Sequence, residues 1–231
     1  MKNVIKYKYL FQFESNLKEF IVSIDSSTLQ LVSNNNINKP DWAKLEQFKC
    51  SHCPLNEEEH EYCPLALQIQ DVLLFFKEVP SYQKVKIDVT SSARTYTKET
   101  DIQTGVSSLM GLLMPTSGCP ILGKLKPLVK FHLPFATIEE TEFKVFSMYL
   151  LAQYFRMKRG KVPDWEMVNL NQIYEDISIL NRNVAEKITR VENMDAGINA
   201  VVVLNNFADS VTFGLDTAVL SHIEKLFNEF I

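Results

Sequence analysis

Four cysteines occur in the 231 residues, and three of them crowd into one stretch, C-S-H-C-P-L-N-E-E-E-H-E-Y-C-P, as Cys50, Cys53 and Cys63. The fourth, Cys119, stands in S-G-C-P. Cys50 and Cys53 form a C-x2-C knuckle, whose tight turn can direct two sulfurs at one ion. If the fold returns Cys119 to that knuckle, four thiolates close a tetrahedral site, and zinc is the expected metal. Proline follows Cys53, Cys63 and Cys119, as it also does at some iron–sulfur ligands, so a cluster is the alternative. Thiols left unligated, or used as a redox pair, are the remaining reading. His52 and His60 stand among Glu57, Glu58, Glu59 and Glu61 and are expected to face solvent. Either could instead replace Cys119 in a local Cys3His site.

A second group of residues suits a small anion. No acidic residue occurs from Pro115 through Phe135, whereas Lys124, Lys126, Lys130 and His132 do. Arg94 and Lys98 lie just beyond an expected strand. Convergence of Arg94, Lys98, Lys124 and Lys130 would make a positive pocket for a phosphate or carboxylate. Neither G-x-x-x-x-G-K-[ST], G-x-G-x-x-G nor G-x-S-x-G is present, so the familiar phosphate loops and the nucleophile elbow are not in use. His132, in F-H-L-P-F, reads as a buried structural histidine. Its pairing with Cys119 as base and nucleophile would be incompatible with Cys119 as a closed-site ligand.

These residues need elements to hold them. The chain is 46% hydrophobic and 23% charged with a formal net charge of −4, ample for a core and against nucleic-acid binding driven by bulk charge. No apolar run approaches the roughly 20 residues of a membrane span. Met1–Phe13 alternates lysine with aromatics and lacks the apolar stretch of a signal peptide. A soluble cytoplasmic protein is expected. There, disulfides are uncommon and clustered thiols suggest metal or reactivity.

Ile5, Tyr7, Tyr9, Phe11 and Phe13 alternate with polar residues, the period of a half-buried strand. Phe20–Ile24 and Leu29–Val32 extend this to a three-stranded meander, with Val85–Val89 as a fourth strand. A loop, Ser33–Lys39, leads to the cysteine segment, and Leu65–Lys77 is expected to be helical. From residue 101 the period becomes helical. Thr137 and Glu140 make a capping box opening a helix to about Arg159, whose apolar middle, Phe143–Phe155, predicts a central buried helix. Ile173, Ile177, Leu180, Val184, Ile188 and Val191 mark a long amphipathic helix, expected to lie on its own bundle rather than form a coiled-coil seam. Two further helices follow, divided near Gly214.

Several pieces together resemble a bacterial family filed as a domain of unknown function. They are C-S-H-C-P-L at Cys50–Leu55, C-P-L-A at Cys63–Ala66, A-R-T-Y at Ala93–Tyr96, S-G-C-P at Ser117–Pro120, F-H-L-P-F-A-T at Phe131–Thr137 and Y-L-L-A-Q-Y-F at Tyr149–Phe155. The resemblance brings no catalytic residues. It implies that Cys119 and His132 belong to the same unit as the knuckle.

The expected fold is therefore α+β. A small N-terminal antiparallel sheet of three to four strands, with a cysteine-rich insertion (1–100), packs on a larger helical bundle (101–231) as one integrated domain. The expected function is that of a non-enzymatic metal-binding protein. Cys50, Cys53, Cys63 and Cys119 are its ligands, and a small anionic ligand or a protein is its partner.

Overall fold

The aromatic alternation at the N-terminus builds the centre of a sheet. In the computed structural model, which describes residues 4–32, 39–191, 194–215 and 217–231, β1 (Val4–Gln12) pairs antiparallel with β2 (Leu17–Asp25) on one side and β3 (Lys84–Thr90) on the other. Tyr9 lies opposite Phe20 and Val89, and Phe11 opposite Lys18 and Ile87. Tyr7, Tyr9, Phe11, Val22, Ile24, Val85, Ile87 and Val89 are all buried, because period-two alternation sends them to one face. Of the expected Ser33–Lys39 loop, residues 33–38 lie outside the described residues.

Two strand expectations are corrected. Leu29–Val32 is not a strand; Leu31 forms one isolated bridge with Ile24, and its N–H donates to the Thr116 carbonyl at 3.2 Å. The Asp25 carboxylate accepts from the Ser27 and Thr28 N–H groups, folding the chain into a turn there. The missed strand is β4 (Thr95–Asp101), T-Y-T-K-E-T-D, which pairs with β3 and completes the order β2-β1-β3-β4. It lies at an edge with mostly exposed side chains, so it has no apolar alternation to betray it.

The helical region comprises α1 (Leu45–Phe48), α2 (Pro64–Phe75), α3 (Ile102–Thr116), α4 (Lys126–Lys130), α5 (Ile138–Lys158), α6 (Val168–Thr189), α7 (Asp195–Gly214) and α8 (Thr217–Glu224), with a 3-10 turn at Leu122–Leu125 before α4. No helix among the described residues is long and apolar enough to cross a membrane. The central helix is α3, not α5: eleven residues of α3 are buried, whereas α5 buries Glu142, Val145, Phe146, Tyr149 and Gln153 and leaves Leu151, Tyr154 and Phe155 exposed. The capping box opening α5 is present. Thr137 Oγ1 accepts from Glu140 N–H and Glu140 Oε2 accepts from Thr137 N–H.

Gly105 lets α3 lie directly on the sheet. A Cβ at that position would stand 2.1 Å from Ile87 Cδ1 and 2.8 Å from Phe11 Cε1. Beside it α2 closes the sheet with Phe75 and Phe76, whose rings pack on Phe20 at 5.7 and 5.8 Å. The amphipathic stripe of α6 is buried within the chain, and between α6 and α7 Ser178 Oγ bonds Asn205 Oδ1 at 3.0 Å and Asp209 Oδ1 at 2.5 Å. One hydrophobic core runs from β1 through α3 to α7.

Candidate metal centre

The cysteine loop is pinned at both ends before any metal is considered. Leu45 N–H donates to Glu61 O at 2.9 Å and Cys63 N–H to Ala43 O at 2.8 Å. Within the loop Cys53 N–H donates to Cys50 O at 3.0 Å, the turn that brings the two knuckle residues together. Cys63 is then the N-cap of α2, with Pro64 at the first helical position, where the lost N–H costs nothing.

Cys119 reaches this region through the end of α3. Gly118 takes φ +98°, a left-handed turn that a residue with a Cβ resists, and its ideal Cβ position lies 3.6 Å from Pro64 Cβ. The S-G-C-P turn thus sits against the start of α2. Ser117 Oγ accepts from Cys119 N–H at 3.2 Å.

The four thiols share one neighbourhood, within electrostatic reach of one another. Burial pushes Cys50 up to about 12, and the neighbouring Cys63, Cys119 and Cys53 add to the shift. Cys63 is pushed up to about 11 by burial, with Cys119 and Cys53 again contributing. Cys119 is raised by burial too, with a contribution from Cys53. Each of the four therefore lies close enough to the others for their charges to interact. Cys50, Cys63 and Cys119 are buried, Cys53 is half-buried, and all four are free thiols. Among the described residues no three His, Cys, Asp or Glu side chains are grouped so that they could hold a metal ion as they stand.

Two sulfurs are already solvated by backbone. Cys63 Sγ accepts the Leu65 and Ala66 N–H groups, and Cys119 Sγ accepts those of Ile121 and Leu122. The two segments, C-P-L-A and C-P-I-L, share one local design: proline removes the first donor and leaves the next two aimed at sulfur. Such bonds favour the thiolate, the form that ligates metal. The Lys187 ammonium also favours the Cys50 thiolate; it is held by a 3.0 Å bond to Gln47 O.

The two histidines differ. His60 is exposed as expected, but His52 is half-buried and Nε2 lies 2.9 Å from Asp176 O on α6, with Nδ1 buried and unpartnered. His52 thus ties the knuckle to the bundle, a role invisible in its acidic sequence neighbourhood.

The four basic residues expected to gather around an anion stand on different elements. Arg94 lies in the β3–β4 turn within reach of Tyr96. Lys98 on β4 lines a half-open pocket bordered by α3, α6 and α7. Lys124 pairs with Asp176 at 3.9 Å, and Lys130 is exposed at the end of α4. His132, expected to be buried, is half-buried and bonds Tyr9, 2.6 Å away.

A family model described as a domain of unknown function (DUF6901) matches residues 5–228. Neither a curated protein nor a solved structure matches the chain.

Proposed function

The chain belongs to the DUF6901 family, a domain of unknown function, and we propose that it is a non-enzymatic metal-binding protein whose Cys50, Cys53, Cys63 and Cys119 hold a structural zinc ion. The observation that carries this reading is that four free thiols from three chain segments lie within electrostatic reach of one another. The backbone N–H groups already bonded to Cys63 and Cys119 add to it. Deprotonation of four thiols, three of them buried, is costly in isolation and becomes favourable when a dication takes up the charge. The ion would staple the cysteine loop and the start of α2 to the end of α3. The biological role is that of a cytoplasmic binding module for a small ligand or partner, in a reducing compartment where free thiols persist.

Elemental analysis of anaerobically purified protein, with an optical spectrum, tests it. About one zinc per chain and no visible absorption is expected, with loss of the metal and a lower melting temperature in Cys53→Ser. Charge-transfer absorption near roughly 400 nm with bound iron would replace zinc by an iron–sulfur cluster. Fewer than about 0.2 equivalents of either metal would overturn the reading, because a closed four-thiolate site retains its ion through purification.

A further inference from the structure

A cavity of about 350 Å³ lies between α3, α6 and α7, beyond the cysteines. That is within the range of small-molecule sites, which run from about 300 to 1,000 Å³. Its walls are mostly apolar, built from Met110 and Met114 of α3, Leu122 of the 3-10 turn, Ile177 of α6, and Leu204 and Phe207 of α7. At roughly 30 Å³ per heavy atom, the share a water takes in the liquid, such a space holds about a dozen atoms.

Its charged side chains are of one sign. Lys98 and Lys144 line it, together with His132 and several hydroxyl side chains, and among the described residues no carboxylate does. Lys144 Nζ donates to Phe131 O at 2.8 Å, which leaves two of its protons for another acceptor. Burial also pulls the Lys144 ammonium below the usual lysine range, a penalty that an anion beside it would relieve. On the α6 wall Asn181 is 3% exposed, and its side-chain carbonyl oxygen has no hydrogen-bond partner. A buried polar atom without a partner is uncommon in a native protein, and in a cavity wall it marks a position where a ligand supplies the missing donor.

We propose that this cavity binds an apolar monocarboxylate of about a dozen heavy atoms, with its head group at Lys144 and Lys98 and its body between α3 and α7. A hydroxyl or amide on that body would satisfy Asn181. None of the four cysteines lines the site, so its ligand groups are distinct from theirs.

Isothermal titration with decanoate, decan-1-ol and decylamine, each below its micelle-forming concentration, tests the proposal on the whole chain. Decanoate is expected to bind one to one, at least about tenfold tighter than decan-1-ol, with decylamine weakest, because a half-buried ammonium attracts an anion and repels a cation. Lys144→Met should remove the preference for decanoate over decan-1-ol, and Lys98→Met should reduce it. Gly111→Phe fills the cavity from a position where a Cβ meets only Leu204 Cδ2 at 4.0 Å, and should abolish binding of both while leaving the circular-dichroism spectrum unchanged. In Asn181→Leu, decanoate should bind at least as tightly, since it brings no donor for the amide it replaces. Equal affinity for decanoate and decan-1-ol would overturn the anion assignment. Undiminished decanoate binding in a folded Gly111→Phe protein would overturn the location, and no binding of any of the three would overturn the proposal entirely.

Discussion

Tyr9 in the sheet and His132 after α4, 123 residues apart in the chain, are joined by a 2.6 Å hydrogen bond between the phenol oxygen and Nε2. The same hydroxyl lies 2.9 Å from Ser108 Oγ, so one buried phenol ties the sheet, α3 and the loop before α5 together. Burial, reinforced by the Lys144 charge, holds His132 down at about 3, and burial raises the Tyr9 phenol. Both are neutral at physiological pH.

Acid should therefore unfold the protein through His132. The unfolded imidazole takes a proton near 6.5 while the folded one resists until about 3. Stability is fully present above pH 6.5 and falls as pH drops through that window, by up to about 1.4 kcal/mol per pH unit. Urea denaturation between pH 7 and 4 should show this slope, and His132→Asn should flatten it. An unchanged slope in that variant would place the acid sensitivity elsewhere.

Gly105 and Gly111 sit six residues apart on α3, and alanine should have opposite effects at the two. A methyl at 105 collides with Ile87 and Phe11, so Gly105→Ala should cost about 1–3 kcal/mol. A methyl at 111 has only Leu204 within 4.0 Å, so Gly111→Ala should gain up to about 1 kcal/mol from helix propensity. Denaturant midpoints with equal slopes measure both.

Ser178 holds α6 to α7 through Asn205 and Asp209, and also accepts from Arg182 at 3.1 Å. Ser178→Ala leaves the carboxylate and the guanidinium without their shared partner, and should destabilise by about 1–3 kcal/mol. The double variant with Asp209→Ala should lose less than the sum of the two single ones, as members of one network do.

Metal-free thiols should react slowly. With Cys50 near about 12 and Cys63 near about 11, little thiolate is present at pH 8, and three of the four sulfurs are buried. Iodoacetamide followed by peptide mass mapping should label half-buried Cys53 first, with rates rising as pH rises toward those values. Added zinc should protect all four and release protons; equal labelling with and without zinc would argue against a shared ion.

The cavity and the cysteines share structural parts. Leu122 and Leu125, just after Cys119, line the cavity, and His52 of the knuckle bonds Asp176 on α6, whose Tyr174 and Ile177 line it too. Zinc loading should therefore tighten decanoate binding, and decanoate should slow zinc extraction by chelators, because a coupling between two binding equilibria is reciprocal. Identical decanoate titrations for metal-free and metal-loaded protein would show the sites to be independent.

Local patterns were legible wherever the deciding physics was local. Tyr7, Tyr9 and Phe11 announce a strand through their alternation, Thr137 and Glu140 announce the start of α5, and the spacing of Ile177, Leu180 and Val184 announces α6. The knuckle at Cys50 and Cys53, with the proline-marked Cys63 and Cys119, was readable as a candidate site because residue type and spacing limit what sulfur can do. The edge strand Thr95–Asp101 was not readable, since a strand paired on one side and facing water needs no apolar face. Nor was the exchange of α3 for α5 as the central helix. Both are rich in apolar residues, and only the sheet's demand for a close neighbour, met by Gly105, decides which is buried.

What the amino-acid order determined by itself is the set of elements and the inventory of chemistry: two aromatic strands, amphipathic helices, four thiols and a basic stretch without acids. What the tertiary structure alone decided is which of those groups meet. It set the S-G-C-P turn of Cys119 against Pro64, placed Lys98 and Lys144 on the wall of one pocket, and buried the Asn181 side chain there. Periodicity reports on neighbours within about one helical turn or one strand repeat, whereas these meetings depend on how whole faces pack, which is written in no single stretch of the chain.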